Sequence, residues 1–204
     1  MAIYTRFDDI PRLKYGLILA DNHWSFDNWS AAGELKNPKA QYDCMTLDAI
    51  KRLPVGHFAA KGCALWHWAT NPMQDQAFEV LSSLGFKFKT AGHWAKMTEK
   101  SFVLLGADQN IICGKQSFGP GYLFRCAGEP FLLGTNGNPK QQVRNVRFVI
   151  IAPAREHSRK PEKAYEEAER LFGGVPKLDL FSRQDRPGWD CFGDEVGKFE
   201  GEAA

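Results

Sequence analysis

The segment "LILADNHWSFDNWS", Leu17 to Ser30, holds the chain's densest set of residues able to do chemistry. An apolar run ends at Asp21, and Asn22, His23 and Trp24 follow at once. A carboxylate where a buried strand reaches the surface can accept hydrogen bonds from a ligand, but Asp is also a common turn former and helix cap. Trp24 and Trp29 would serve equally well as core. Two other polar stretches leave apolar runs in the same manner, "REHSRKP" after Ala152 and "SRQDRPGW" after Phe181. Alone, the first of these is a solvated basic turn before a helix. In an open parallel sheet, however, ligands bind beyond the carboxyl ends of the strands. These exits, with the one after Thr70, therefore predict one convergent site.

Positioning such exits requires alternating strands and helices, which the chain supplies. "KYGLILA", Lys14 to Ala20, is short and continuously apolar, as central parallel strands are. Ser25 to Tyr42 has no sustained period and is expected to be a long functional loop. "TLDAIKRLP" from Thr46 predicts a short helix stopped by Pro54. "CALWHWAT", Cys63 to Thr70, predicts a second buried strand. The next helix is expected to use Asn71 as N-cap and Pro72 at the first helical position, with Met73, Ala77, Val80, Leu81 and Leu84 on one face and Gly85 at its end. "FKFKTAGHWAKM" suggests one or two strands, Lys96 to Gln116 has no clear pattern, and "YLFRCAGEPFLLGTNG" suggests strand, turn and strand. A buried strand at Arg147 to Ala152, an amphipathic helix from near Pro161 and a final strand "KLDLFS" complete the pattern. The expectation is a single α/β domain over residues 1–196, with a mostly parallel sheet between helices and a frayed tail over 197–204.

The chain has 204 residues, 44% of them hydrophobic, enough for one domain with a real core. Gly-x-Gly-x-x-Gly and Gly-Lys-Thr phosphate loops are absent, which weighs against dinucleotide enzymes and P-loop NTPases. His23, His57, His67, His93 and His157 lack metal-ligand spacing, so no metal is expected. The five cysteines form no Cys-x-x-Cys pair and suit thiols in a reducing cytoplasm. No stretch of about 18 apolar residues predicts a membrane span, and the N-terminus lacks a secretory pattern. The net charge of +2 neither demands nor excludes nucleic acid.

Taken together and in order, the pieces "ILADNHWSFDNWS", "LPV" at Leu53 to Val55, "LWHWATNP", "LLGTNGNP", "REHSRKPEKAYEEAERL", "LDLFSR" and "RPGWDCFGDEV" resemble one family. It is the N6-adenine methyltransferase family that includes the catalytic subunit of the mRNA N6-methyladenine writer and many phage and bacterial DNA adenine methyltransferases. The resemblance covers about Tyr15 to Val196. It implies a Rossmann-like fold, S-adenosylmethionine as cofactor, and methyl transfer to the exocyclic amine of adenine. DNA is the expected substrate, ahead of RNA, in phage or bacterial modification within the host cytoplasm. By this resemblance Asp21 accepts a hydrogen from the amine, the main chain at Asn22 offers a carbonyl, and Trp24 stacks on the extruded base. Lys160, beside Ser158 and Arg159, would contact the carboxylate end of the cofactor. Arg183 would lie near the ribose, and Asp194 and Glu195 would form a corner beside it. Lys36, Lys39, Lys87, Lys89, Arg144 and Arg147 are candidate phosphate contacts.

The family turn is Asp-Pro-Pro-Trp, whereas Asn22 and His23 stand at the two prolines here. Prolines fix φ and carry no N–H. Asn and His are expected to loosen the turn and to add donors near the amine. That departure leaves two alternatives beside the adenine methyltransferase: a nucleic-acid-binding relative without turnover, or an enzyme acting on another base.

Overall fold

Strand β2, Tyr15–Ala20, is buried along its whole length because both of its faces are covered. Ile18 and Ala20 join one core cluster, while Leu17 and Leu19 join the other. The same alternation runs along β3, Ala59–Trp68, where Cys63 and Leu65 face one core and Ala64, Trp66 and Trp68 the other. A period of two with apolar residues on both sides is the signature of a sheet packed between helical layers. Helices α1, Leu47–Lys51, α2, Val55–Phe58, and α3, Gln74–Ser83, cover the first face through Ile50, Val55, Phe58, Ala77, Val80 and Leu81. Helix α4, Glu162–Phe172, covers the second through Ala164, Ala168, Leu171 and Phe172.

The computed structural model describes residues 1–24, 44–98, 103–105, 111–119, 121, 123–155 and 159–197. Among them, eight strands form one sheet, in the order β1, β10, β9, β2, β3, β7, β4, β8. The remaining members are β1, Ile3–Tyr4; β4, Lys87–Met97; β7, Gly128–Asn136; β8, Val149–Pro153; β9, Lys177–Leu180; and β10, Asp190–Phe192. A separate hairpin joins β5, Val103–Leu105, to β6, Ile111–Cys113. Only β7 opposes its sheet neighbours; the other pairings are parallel. The result is the expected Rossmann-like α/β layering with a mostly parallel sheet.

Several local expectations change. The chain does not end its sheet at "KLDLFS": β10 follows, and the N-terminal residues add β1 beside it. Asn71 is not an N-cap. It opens a short 3-10 turn over Asn71–Met73, preceding α3. Its side chain instead donates to the Gly128 carbonyl at 3.1 Å, tying the exit of β3 to the entry of β7. Pro54 stops α1 but begins another turn of helix, α2. "FKFKTAGHWAKM" holds one strand, and in "YLFRCAGEPFLLGTNG" the described residues form a strand in the second half alone. The 25–42 loop and the 198–204 tail lie outside the described residues, save that Gly197 is the last described position.

The connections from β2 lead one way, to β3, while its other neighbour, β9, arrives late in the chain by way of α4. Between β2 and β9 the strand order reverses. Their carboxyl ends are in register, Ala20 beside Leu180, so the crevice beyond them sits at a topological switch point, where sheets of this kind bind ligands.

Candidate active site

The turn leaving β2 is anchored at both ends by main chain. Asp21 N–H donates to Leu180 O at 3.3 Å, and Met45 N–H donates to His23 O at 2.9 Å. Trp24 N–H donates to Asn22 O at 3.0 Å, closing a three-residue turn around His23. The carbonyl expected to receive a substrate hydrogen is thus already engaged once, with its second lone pair remaining. The turn is not the loosened, donor-rich segment expected from its sequence. The Asn22 side chain is 3% exposed and points inward, 2.7 Å from His67 Nε2. Trp24 is 6% exposed; its indole N–H donates to Trp68 O at 3.1 Å and its ring lies 5.5 Å from that of His67. The expected stacking wall is therefore packed into the core.

On the opposite side of the sheet, Asp21 meets a buried cation. Lys160 Nζ is 3.0 Å from Asp21 Oδ2 and 3.0 Å from Glu129 Oε2, with its side chain 7% exposed. Glu129 also pairs with Lys96, so four charges alternate: Asp21, Lys160, Glu129, Lys96. Trp68 and Trp94 lie beneath the two ammonium groups, at 5.4 and 4.6 Å from their ring centroids, where the face of an indole attracts a cation. The reversed direction of β7 makes this possible. Its second residue, Glu129, enters beside Trp94 near the carboxyl end of β4. Burial disfavours charge on Lys160, but Asp21 and Glu129 outweigh it and raise its pKa. Burial would raise Glu129 too, yet Lys160 and Lys96 hold it down to about 2.

The far wall comes from β9 and the segment after it. Asp179 is buried and accepts hydrogen bonds from Ser182 Oγ at 2.8 Å and Tyr165 OH at 3.0 Å. Burial nonetheless pushes its pKa up to about 6. Phe181 takes a left-handed φ of 63°, strained for a bulky side chain, and sets its ring 5.2 Å from His23. Gly193 allows this turn to close: a Cβ there would stand 2.4 Å from Ser182 O. Arg186 stacks over Tyr165 at 3.5 Å and pairs with Glu162, while its Nε is buried without a hydrogen-bond partner.

One pocket gathers Asp21, Arg159, Lys160 and Arg183 with Asp179 and Ser182. Arg159 Nε donates to Gln184 Oε1 at 2.6 Å, and Arg183 lies 3.5 Å from Glu195, which brings Glu195 beside a residue that lines the pocket. Asp194 is exposed. Ser158 lies outside the described residues, as do Lys36 and Lys39. Lys87 and Lys89 begin β4; at about 3.3 Å per residue, Lys87 stands on the order of 30 Å from that strand's carboxyl end. Arg144 and Arg147 likewise precede β8, so these four cations lie toward the opposite end of the sheet from the pocket. Sequence reasoning missed Glu129, Lys96 and Asp179. The one available signal for Asp179 was a carboxylate inside an apolar strand. The mixture of paired cations and carboxylates, with an orphaned Arg186 N–H, suits a small zwitterionic ligand bearing hydroxyl groups. Among the described residues, no group of three or more His, Cys, Asp or Glu could hold a metal ion, and no helix is long and apolar enough to cross a membrane.

Comparison with known proteins identifies relatives along most of the chain. The family model MT-A70 matches residues 15–195. The type II methyltransferase M.MunI of Mycoplasma sp is 25% identical over 208 residues, covering 93% of this chain and 81% of that protein. The N(6)-adenine-specific methyltransferase METTL4 of Mus musculus is 26% identical, over 78% of this chain and 34% of its own length. The N(6)-adenosine-methyltransferase catalytic subunit METTL3 of Homo sapiens is 26% identical, over 94% of this chain and 30% of its own length. The chain thus spans most of one relative and about a third of the other two.

Proposed function

The chain belongs to the MT-A70 family, and from that premise we propose that it is an S-adenosylmethionine-dependent methyltransferase acting on the N6 amine of adenine in DNA. The observation that carries this reading is the placement of Asp21. Its carboxylate lines the switch-point pocket beside Lys160, where a reacting amine and a small zwitterion could meet.

The amine of adenine is a poor nucleophile because its lone pair is delocalised into the ring. Asp21 would accept one of its hydrogens and the Asn22 carbonyl the other, favouring a tetrahedral nitrogen with its lone pair free. Lys160 engages Oδ2, which fixes the carboxylate and leaves Oδ1 to face the amine. Acceptors set in place before reaction stabilise the positive charge that builds on nitrogen, without reorganising as it builds. When bound, S-adenosylmethionine supplies an electrophilic methyl group on a sulfonium. Lys160 and Arg159 would hold its carboxylate end, and Arg183, Asp194 and Glu195 its ribose. The reading implies a bacterial or phage modification enzyme working in the cytoplasm.

A second reading, a nucleic-acid-binding relative without turnover, draws on the burial of Trp24 and on the engaged Asn22 carbonyl. Incubating the protein with labelled S-adenosylmethionine and matched duplex DNA, single-stranded DNA and RNA, followed by nucleoside mass spectrometry, separates the readings. N6-methyladenine in DNA is the expected product. Label in RNA alone moves the substrate, label on another base moves the acceptor, and no label with intact nucleic-acid binding favours the second reading.

A further inference from the structure

The two residues that end β3 point to opposite faces of the sheet, and each is tied to the site. Trp68 lies under Lys160 on one side. On the other, His67, 0% exposed, takes the Asn22 amide at 2.7 Å and packs against Trp24. The Trp24 indole then bonds to the Trp68 carbonyl. Two side chains of one short turn are thus fastened to two adjacent residues of the neighbouring strand.

This fastening comes at a cost. Asn22 Oδ1 and His67 Nδ1 are both buried with no hydrogen-bond partner, and such groups in a folded protein call for an explanation. A pair of apolar side chains would fill the same space without orphaned atoms. What they could not do is hold the main chain between Asp21 and Trp24 in one place. The donor is the Asn22 amide nitrogen, so His67 Nε2 must be unprotonated to accept it, and burial keeps it so by pushing the His67 pKa down to about 4.

We propose that His67 is a positioning residue for methyl transfer, which acts through Asn22 to hold the Asp21 carboxylate and the Asn22 carbonyl at the spacing the target amine requires. The inference rests on the methyltransferase reading. It assigns to a side-chain bond the stiffness that a proline pair would give by fixing φ. His23 itself has no positive φ, and the central residue of an inverse three-residue turn has φ near that of proline, so the backbone at His23 is open to either device.

The test is a set of variants read by kcat at saturating substrates, with melting temperature as a separate readout. His67→Phe keeps the ring and removes the acceptor; it should lower kcat at least ten-fold with cofactor affinity within two-fold. Asn22→Ala should do the same, and the double variant should be no worse than either single one. His67→Gln, which retains an acceptor, should recover most of the rate, and it keeps the test open if His67→Phe does not fold. In an Asn22→Pro/His23→Pro background, His67→Phe should cost nothing. A His67→Phe protein that melts earlier but turns over at the wild-type rate would show a purely structural role and overturn the proposal. So would losses that multiply in the double variant, or a Pro-Pro background equally sensitive to His67→Phe. Wild-type protein that transfers no methyl overturns the methyltransferase reading and this inference together, whereas active wild type with an indifferent His67 overturns the inference alone.

Discussion

Lys160 Nζ stands 3.0 Å from Asp21 Oδ2, with only 7% of its side chain exposed. The residue assigned to the cofactor and the residue assigned to the amine therefore form one ion pair, buried at Lys160 and partly exposed at Asp21. Lys160 is also held by Glu129 at 3.0 Å, so it keeps one partner when Asp21 is changed, whereas Asp21 loses this cation when Lys160 is changed.

Lys160→Met should expose this coupling. Removing Lys160 leaves Asp21 without this cation and Glu129 with Lys96, at a cost of up to about 3–5 kcal/mol. Both Asp21 and Glu129 lose their shared cation. For a domain of this size, a melting point lower by roughly 6–20 °C follows. Cofactor affinity should fall about ten- to a hundred-fold. Titration calorimetry and thermal unfolding check the two parts separately, and unchanged affinity would remove Lys160 from the cofactor site.

Glu129 sets an acid-dependent contribution to stability. Its pKa lies near 2 in the folded chain against an ordinary 4.5. Folding therefore favours its ionised form. The contribution is complete above pH 4.5 and is lost as pH falls from there through 2. Urea unfolding of wild type and Glu129→Gln across that range should give stability curves that converge toward acid and separate by a few kcal/mol, to order of magnitude, near neutrality. Parallel curves would contradict the four-charge chain.

Trp24 should reveal itself first as a stability residue. Its indole is buried and bonded to Trp68 O, so Trp24→Ala should cost about 3–5 kcal/mol. Trp24→Phe, which loses the N–H but keeps most of the packing, should cost about 1 kcal/mol. If nucleic-acid binding falls while unfolding is unchanged in Trp24→Ala, the ring is a base platform after all.

How much of this site could be read from residues alone follows from distance along the chain. Asp21 directly follows an apolar run and Lys160 lies within the polar stretch that leaves another, a contrast visible locally. The pairing of Lys160 with Glu129 depends on β7 running against its neighbours, and "CAGEPFLL" looks like any turn entering a strand. Asn22 looked like a loosening substitution because its partner, His67, lies 45 residues away inside a buried strand. Strand β10 is three residues long, too short to show a period. The layering itself was readable, because alternating apolar faces along β2 and β3 reflect the two helical layers directly.

The most direct measurement is methyl transfer to DNA under single-turnover conditions by wild type and by Asp21→Ala, with the product identified as N6-methyladenine and melting temperature as the folding control. Loss of one preorganised acceptor in the transition state should slow transfer on the order of a hundred- to a thousand-fold, with cofactor binding retained within a few-fold because the lost interaction is made mainly in the transition state. Transfer at the wild-type rate by folded Asp21→Ala would contradict the assignment of this turn as the seat of the chemistry.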